Sequence, residues 1–337
     1  MRPVLLDSID MTRRDLLCST LAASAMAGIA ASPLSAQSGG LDPLNPKIRF
    51  GAAGFIWQTK IEQAVRQTAQ LGLEGLEPYR QLIIPYAENP KPLINMFRTA
   101  KIALVTCSNG GPGQSTNFID RTQTAKTIVD HMKFAREFLV PFKCPRWKIN
   151  VGARPEGGPN DDQLKVMAET LNELGRQTAE LGIRLAPHPH IWGPLEREHE
   201  VRRVMELTEP RYVSLTTDTA HLTLGGMDAA AIINEYFPRV EEIHLKDCDA
   251  QYRGNKSTPT QEQHKIASLY KNLGVGGGVD FKAVFKVLRD RKFDGWAVLD
   301  LDPPREGDGT GTIEDNLTVN VNYLRNALGV RLPAPAL

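Results

Sequence analysis

The 337-residue chain lacks several features that define whole classes of protein. It has only four cysteines, none closely paired, so neither a disulfide framework nor a thiolate zinc motif is available. Lys and Arg number 40 against 39 Asp and Glu, a formal charge of +1, so no excess of positive charge exists to hold a phosphate backbone. Nucleic acid is not an expected partner. No dinucleotide fingerprint is present: Gly51, Ala52, Ala53 and Gly54 lie inside a strand signal and lack the G-x-G-x-x-G spacing. What remains, 41% hydrophobic and 23% charged, is the composition of an ordinary soluble globular protein.

At the N-terminus, Thr12, Arg13, Arg14, Asp15, Leu16 and Leu17 precede an Ala-rich stretch from Leu21 to Ala31, followed by Ser32, Pro33, Leu34, Ser35 and Ala36. This arrangement resembles a twin-arginine export signal, with cleavage after Ala36. A spanning helix needs about 20 predominantly apolar residues, and this stretch is short and broken, so no stable membrane insertion is expected after processing. The resemblance implies a signal peptide over residues 1–36 and a mature domain over 37–337. The translocase would be a partner during export, and the periplasm the destination. Twin-arginine export carries folded proteins, often already loaded with a cofactor, which favours a metal. Cys18 sits before the apolar run, where lipidation is not expected. Cys107, Cys144 and Cys248 fall in or beside strand signals and read as small buried hydrophobes.

Beyond a Gly, Pro and Asn-rich loop, strand and helix signals alternate. The strands are Ile48 to Phe55, Leu73 to Glu77, Ile102 to Ser108, Arg146 to Val151, Ile183 to His188, Val213 to Asp218, Glu242 to Asp247 and Trp296 to Leu301. Amphipathic helices lie between them, with a last one near Ile313 to Leu328. Eight such units without a linker predict an α/β fold, a single (β/α)8 TIM barrel following the signal peptide. A loop insertion is expected from Asp249 to Val275. The run Gly276, Gly277, Gly278 could cradle an anion, or form a flexible loop that ends in an Asp280 helix cap.

Strands of a parallel barrel are buried on both faces, and the carboxyl rim carries barrel chemistry, so polar residues at strand ends need a reason. Glu77 ends strand two. His188 and His190 follow strand five, with Trp192 just beyond. Asp218 ends strand six, with His221 one turn later. Strand seven carries His244 and Lys246, and strand eight ends in Asp300 and Asp302. The imidazoles and carboxylates of His188, Asp218, His244 and Asp300 suit a divalent cation, whether Mn²⁺, Mg²⁺, Co²⁺ or Zn²⁺.

These strand ends resemble the xylose isomerase-like barrels of the sugar phosphate isomerase/epimerase superfamily. The resemblance is carried by Gly72 to Glu77, by Asp218, Thr219, Ala220 and His221, by His244, Leu245, Lys246 and Asp247, and by Gly276 to Phe281. It implies a metal set of Glu, Asp, His and Glu from strands five to eight. Asp218 and His244 match the middle pair, whereas His188 and Asp300 replace the outer glutamates. In the family's epimerases those glutamates also move the proton on opposite faces of an enediolate.

The expected function is therefore an exported, divalent-metal-dependent sugar isomerase or epimerase acting at a carbon next to a carbonyl. His188, Asp300, Lys246 and Glu77 are the candidate catalytic residues, and His190, His221 and Trp192 the candidate contacts to a sugar or polyol. His188 is open as ligand or base, and Asp302 could share the role of Asp300. Because the outer ligands differ, a lyase or hydrolase acting on an oxidised glycoside is the alternative. A noncatalytic periplasmic sugar-binding barrel is the rival of another class.

Overall fold

All eight strand signals become parallel strands, and two short antiparallel ones are added. A computed structural model describes residues 47–110, 114–305 and 311–334, so the twin-arginine segment lies outside the described residues. The strands are β1 (Arg49–Ala53), β2 (Gly75–Glu77), β3 (Ala103–Leu104), β4 (Arg146–Ile149), β5 (Arg184–Pro187), β6 (Leu215–Asp218), β7 (Val240–Leu245), β8 (Asp247–Cys248), β9 (Tyr270–Lys271) and β10 (Trp296–Leu299). Parallel ladders join β3, β2, β1, β10, β7 and β6 in that order, and β4 pairs with β5. A parallel bridge from Leu185 to Val213 carries β5 towards β6.

The β3 to β4 seam is made by side chains. Thr106 Oγ1 accepts from the Lys148 amide at 3.0 Å and donates to the Arg146 carbonyl at 3.3 Å. Asn109 meets both the amide and the carbonyl of Asn150, at 2.8 and 3.0 Å. Buried polar backbone must find partners, and here Thr and Asn supply them where the strands splay. The chain is thereby an α/β barrel of the TIM type, as its alternation predicts.

Helices cover the ring by their periodicity. The helix Ile61–Gln70 buries Ile61, Ala64, Val65, Thr68 and Ala69, one stripe at helical spacing. The helix Asp161–Ala179 starts at a capping box formed by Asn160 and Gln163. No described helix is long and apolar enough to cross a membrane. Cys107, Cys144 and Cys248 are buried and unpaired.

The expected loop insertion has structure of its own. β8 pairs with β9, and between them Thr260 caps a short helix, Gln261–Ile266. The Gly-rich turn does hold an anion, and the anion is internal. Asp247 Oδ1 accepts from the amides of Cys248 and Val279 at 2.8 and 3.0 Å, and its Oδ2 from Gly274 and Gly277 at 3.0 and 3.1 Å. A Cβ at Gly276 would lie 2.2 Å from the Cys248 carbonyl oxygen, so a side chain there would force the turn off the carboxylate. Asp280 then caps the next helix through the Ala283 amide. The His-x-Lys-Asp and Gly-rich motifs are thus two halves of one structure.

Candidate active site

Parallel strands deliver their last side chains to one rim, and here the rim opens into a cavity of about 420 Å³. Glu77, His188, His190, Trp192, Lys246 and Asp300 line it, as does Asp302. Asp218, His221 and His244 are buried beside this wall rather than on it.

Two metal-compatible groups share His244 among the described residues: one with Glu77 and Glu242, the other at β5 to β7. One ligand atom each from His188, Asp218 and His244 lies within 4.8 Å of the others. Asp218 spends Oδ1 on the Ala220 and His221 amides, at 2.8 and 2.9 Å, which caps the following helix. Its Oδ2 has no hydrogen bond, and neither nitrogen of His188 has one. A buried polar atom without a partner costs about 1–3 kcal/mol, so Asp218 Oδ2 and one nitrogen of His188 in the same group fit a cation that completes the set. Asp300 Oδ2 lies 3.2 Å from His244 Nδ1, adjoining the same group. In xylose isomerase-like enzymes, which often use divalent metals, such a set is a candidate site for one.

Behind this group, His244 Nε2 reaches Glu77 Oε2 at 2.7 Å and Glu242 Oε1 at 3.0 Å. Burial opposes charge on His244, but Glu77, Asp300 and Glu242 together outweigh it and raise its pKa well above the ordinary imidazole value. In the metal-free protein an imidazolium therefore joins the carboxylates that a cation would otherwise join. Burial, reinforced by Glu77, pushes Glu242 up to about 7. Burial also lifts Asp218 to about 6. His188 moves the opposite way: burial, aided by the nearby Lys148, keeps it neutral and free to donate a lone pair.

Every carboxylate in the cavity wall is paired with a lysine. Lys148 contacts Glu77, while Lys246 Nζ lies 3.4 Å from Asp300 and 3.0 Å from Asp302. Burial disfavours the Lys246 charge, yet Asp300 and Asp302 raise its pKa well above the ordinary value. Asp300 and Asp302 are both partners of Lys246, and of the two only Asp300 also reaches His244.

His190 has a fixed tautomer. Its Nδ1 donates to the Ile191 carbonyl at 2.6 Å, which leaves Nε2 as the acceptor. Burial lowers its pKa to about 4. The ring stacks on His221 with centroids 3.6 Å apart, and the Tyr270 hydroxyl lies 3.4 Å from His221 Nδ1. His221 therefore backs His190 and Tyr270 and is not a cavity-wall residue. Trp192 adopts the left-handed region at φ 65°. Its amide donates to Glu196 at 2.6 Å and its indole to the Pro259 carbonyl at 2.8 Å, tying the β5 loop to the insertion.

Sequence reasoning missed Lys148, Glu242, Tyr270 and His264. Lys148 sits in the middle of buried β4, and a charged residue inside such a strand is a signal. Glu242 lies two residues before His244 and shares its strand face. Tyr270 and His264 belong to the insertion, where no periodicity marks them.

An eight-stranded parallel barrel with its polar groups gathered at the carboxyl rim defines the class of α/β-barrel enzymes. Residues 65–325 match the family described as xylose isomerase-like TIM barrel, and the chain belongs to that family. Inosose dehydratase of Clostridium perfringens (strain ATCC 13124) is 30% identical over 148 residues, covering 42% of this chain and 48% of that protein. The Lacticaseibacillus casei inosose dehydratase is 30% identical over 148 residues, 42% of this chain and 47% of its own. The chain spans about half the length of the curated relatives it matches. Among solved structures, a sugar phosphate isomerase/epimerase from Parabacteroides distasonis superposes with a TM-score of 0.63 at 16% identity, covering 84% of this chain and 96% of its own. The 3-keto-D-glucoside 4-epimerase of E. coli gives 0.62 at 15% identity, covering 80% and 98%. These two likenesses concern the fold.

Proposed function

We propose that the protein is a divalent-metal-dependent lyase that removes the proton next to the carbonyl of a ketosugar or cyclic ketopolyol and expels the oxygen substituent on the adjoining carbon. His188, Asp218, His244 through Nδ1, and Asp300 would hold the metal. Two imidazoles with carboxylates suit a borderline ion such as Zn²⁺, Mn²⁺ or Co²⁺ better than Mg²⁺. Bound there, the metal supplies Lewis acidity at the carbonyl oxygen.

The observation that carries the reading is the pairing of Glu77, Asp300 and Asp302 with lysines, which leaves His190 Nε2 as the accepting base in the cavity. Epimerisation needs proton donors on opposite faces, whereas elimination is complete with one. His190 takes the α-proton as the C–H electrons form a C=C bond and negative charge develops on oxygen. Lys246, held charged by two carboxylates, faces that charge. The neighbouring C–O bond then breaks, and the leaving oxygen receives the proton from His190. The inosose dehydratase relatives agree with this outcome.

Isomerisation or epimerisation is the second reading. It is favoured by Asp300, which stands three strands around the ring from His190 and would supply a second base if Lys246 released it. The test is metal-loaded protein with a 3-ketoglucoside and with an inosose in D₂O. Elimination gives a conjugated carbonyl absorbance, and epimerisation gives deuterium incorporation without loss of the substituent. Neither signal with either substrate, in Zn²⁺, Mn²⁺, Co²⁺ or Mg²⁺, would leave a binding barrel as the better reading. His190→Gln should retain metal and lose at least about 100-fold in α-proton exchange.

Residues 1–36 are proposed to direct export to the periplasm, on the strength of Arg13, Arg14 and the apolar stretch after them. Replacing both arginines by lysine should leave precursor in the cytoplasm, and an unchanged periplasmic fraction would end that proposal.

A further inference from the structure

The metal-compatible set and His190 occupy the arc of β5, β6, β7 and β10. The opposite arc, after β2, β3 and β4, has a different chemistry. Arg80 follows β2, Ser108 follows β3, Asn150 follows β4, and all three line the cavity. Among the described lysines and arginines of the cavity wall, Lys148 and Lys246 are paired with carboxylates, whereas Arg80 has none within ion-pair distance. Its guanidinium lies 5.5 Å from the Tyr79 ring centroid. Ser108 is buried to 5% exposure, and its hydroxyl has no hydrogen-bond partner. The Arg80 seat is shaped as well: Gly110, at φ +89°, would place a Cβ 3.1 Å from Arg80 Nη1.

We infer that the substrate carries an oxyanion group, carboxylate or phosphate, at the end remote from its reacting carbon, and that Arg80, Ser108 and Asn150 receive it. The inference rests on the ketosugar reading of the same cavity. A guanidinium presents parallel N–H donors that match two oxygens of such a group, and a hydroxyl and a carboxamide on the same cavity wall can add directed hydrogen bonds. Lys148 and Lys246 already have carboxylate partners, so of the described cavity-wall cations it is Arg80 that is left to meet an anion. An oxyanion there also fixes which carbon faces His190, because it allows only one orientation across the rim.

Calorimetric titration of Zn²⁺-loaded protein with D-glucose, D-glucuronate and D-glucose 6-phosphate tests the inference without turnover. At least one anionic sugar should bind about tenfold or more tightly than glucose. Arg80→Gln should erase that preference, Arg80→Lys should restore part of it, and Ser108→Ala should reduce it about threefold while melting like the parent. The favoured anion tells carboxylate from phosphate. Equal affinities for all three sugars, no binding by any, or a preference that survives Arg80→Gln would overturn the inference. Failure of the ketosugar reading shows separately, as absence of metal or of α-proton exchange in the same sample.

Discussion

His131, on the helix Thr124–Phe134, and His188, just past β5, are both buried imidazoles, and they differ in whether their ring nitrogens are satisfied. His131 has both nitrogens engaged, Nδ1 with the Thr127 carbonyl at 2.7 Å and Nε2 with the Asn109 carboxamide at 2.9 Å. Asn109 then spans the β3 to β4 seam, so that histidine completes a structural network. His188 has neither nitrogen engaged and faces Asp218 Oδ2, which is also unsatisfied. Burial of an imidazole is therefore not by itself the mark of a site. What sets His188 apart is that one of its unsatisfied nitrogens lies in the same group as a second unsatisfied atom, Asp218 Oδ2, a convergence that a cation from outside the chain would complete.

The largest effect should come from the unsatisfied side. His188→Gln is expected to lower metal affinity by at least about 100-fold, while the metal-free variant melts within about 2 °C of the parent. Elemental analysis and thermal melts on one preparation check both halves, and full metal retention would erase the contrast with His131. Wild-type protein should gain about 2–3 kcal/mol of stability when Zn²⁺ or Mn²⁺ is present at about 100 times its Kd, and the His188→Gln protein should not.

On the satisfied side, His131→Leu should cost about 1–3 kcal/mol, because the Asn109 carboxamide loses a buried partner, with metal content unchanged. Denaturant titration measures it. Metal loss in this variant would mean the two networks are coupled.

A comparable effect at the same residue follows from pH. Burial lowers the His131 pKa to about 4, so the folded protein holds it neutral while the unfolded chain takes a proton below about 6.5. Its contribution is complete above pH 6.5 and is lost as pH falls towards 4, at no more than about 1.4 kcal/mol per pH unit. The slope of wild-type stability over that window should flatten in His131→Leu, and identical slopes would contradict the assignment. Least of all should come from the exposed pair of Arg202 with Glu198. Arg202→Ala is expected to change stability by less than about 1 kcal/mol, and a larger loss would show that a satisfied surface pair behaves like a core one.

The eight strands were legible because each is a short apolar run bounded by turns, and burial on both faces made Asp218, His244 and Asp300 conspicuous at their ends. Periodicity carried no information about what the side chains do once there. His221 has the same motif credentials as Asp218, yet the helix it belongs to turns it behind His190. The pairing of carboxylates with lysines depends on β2 meeting β4 and on β7 meeting β10, contacts separated by about seventy or more and by 56 residues along the chain. The insertion was legible only as a gap, because Tyr270 and His264 reach the rim through a turn of the chain and not through a repeating face.

Asp247 holds both ends of that insertion: β8 begins at this residue, and the amides of Gly274, Gly277 and Val279 return to its carboxylate. The segment between is therefore a cassette with one shared anchor. For a loop so clamped, the entropy of closure grows only slowly with added length. Because it supplies Gln261, His264 and Tyr270 to the cavity, a change in its sequence or length would alter which molecules fit, and through Tyr270 it would also reach Lys246 and His221. The Asp247 carboxylate and its glycines thus make one junction the place where the barrel and its most substrate-facing loop meet, and a loop grafted between Asp247 and Gly274 would have to restore the Tyr270 contacts to keep the site as it is.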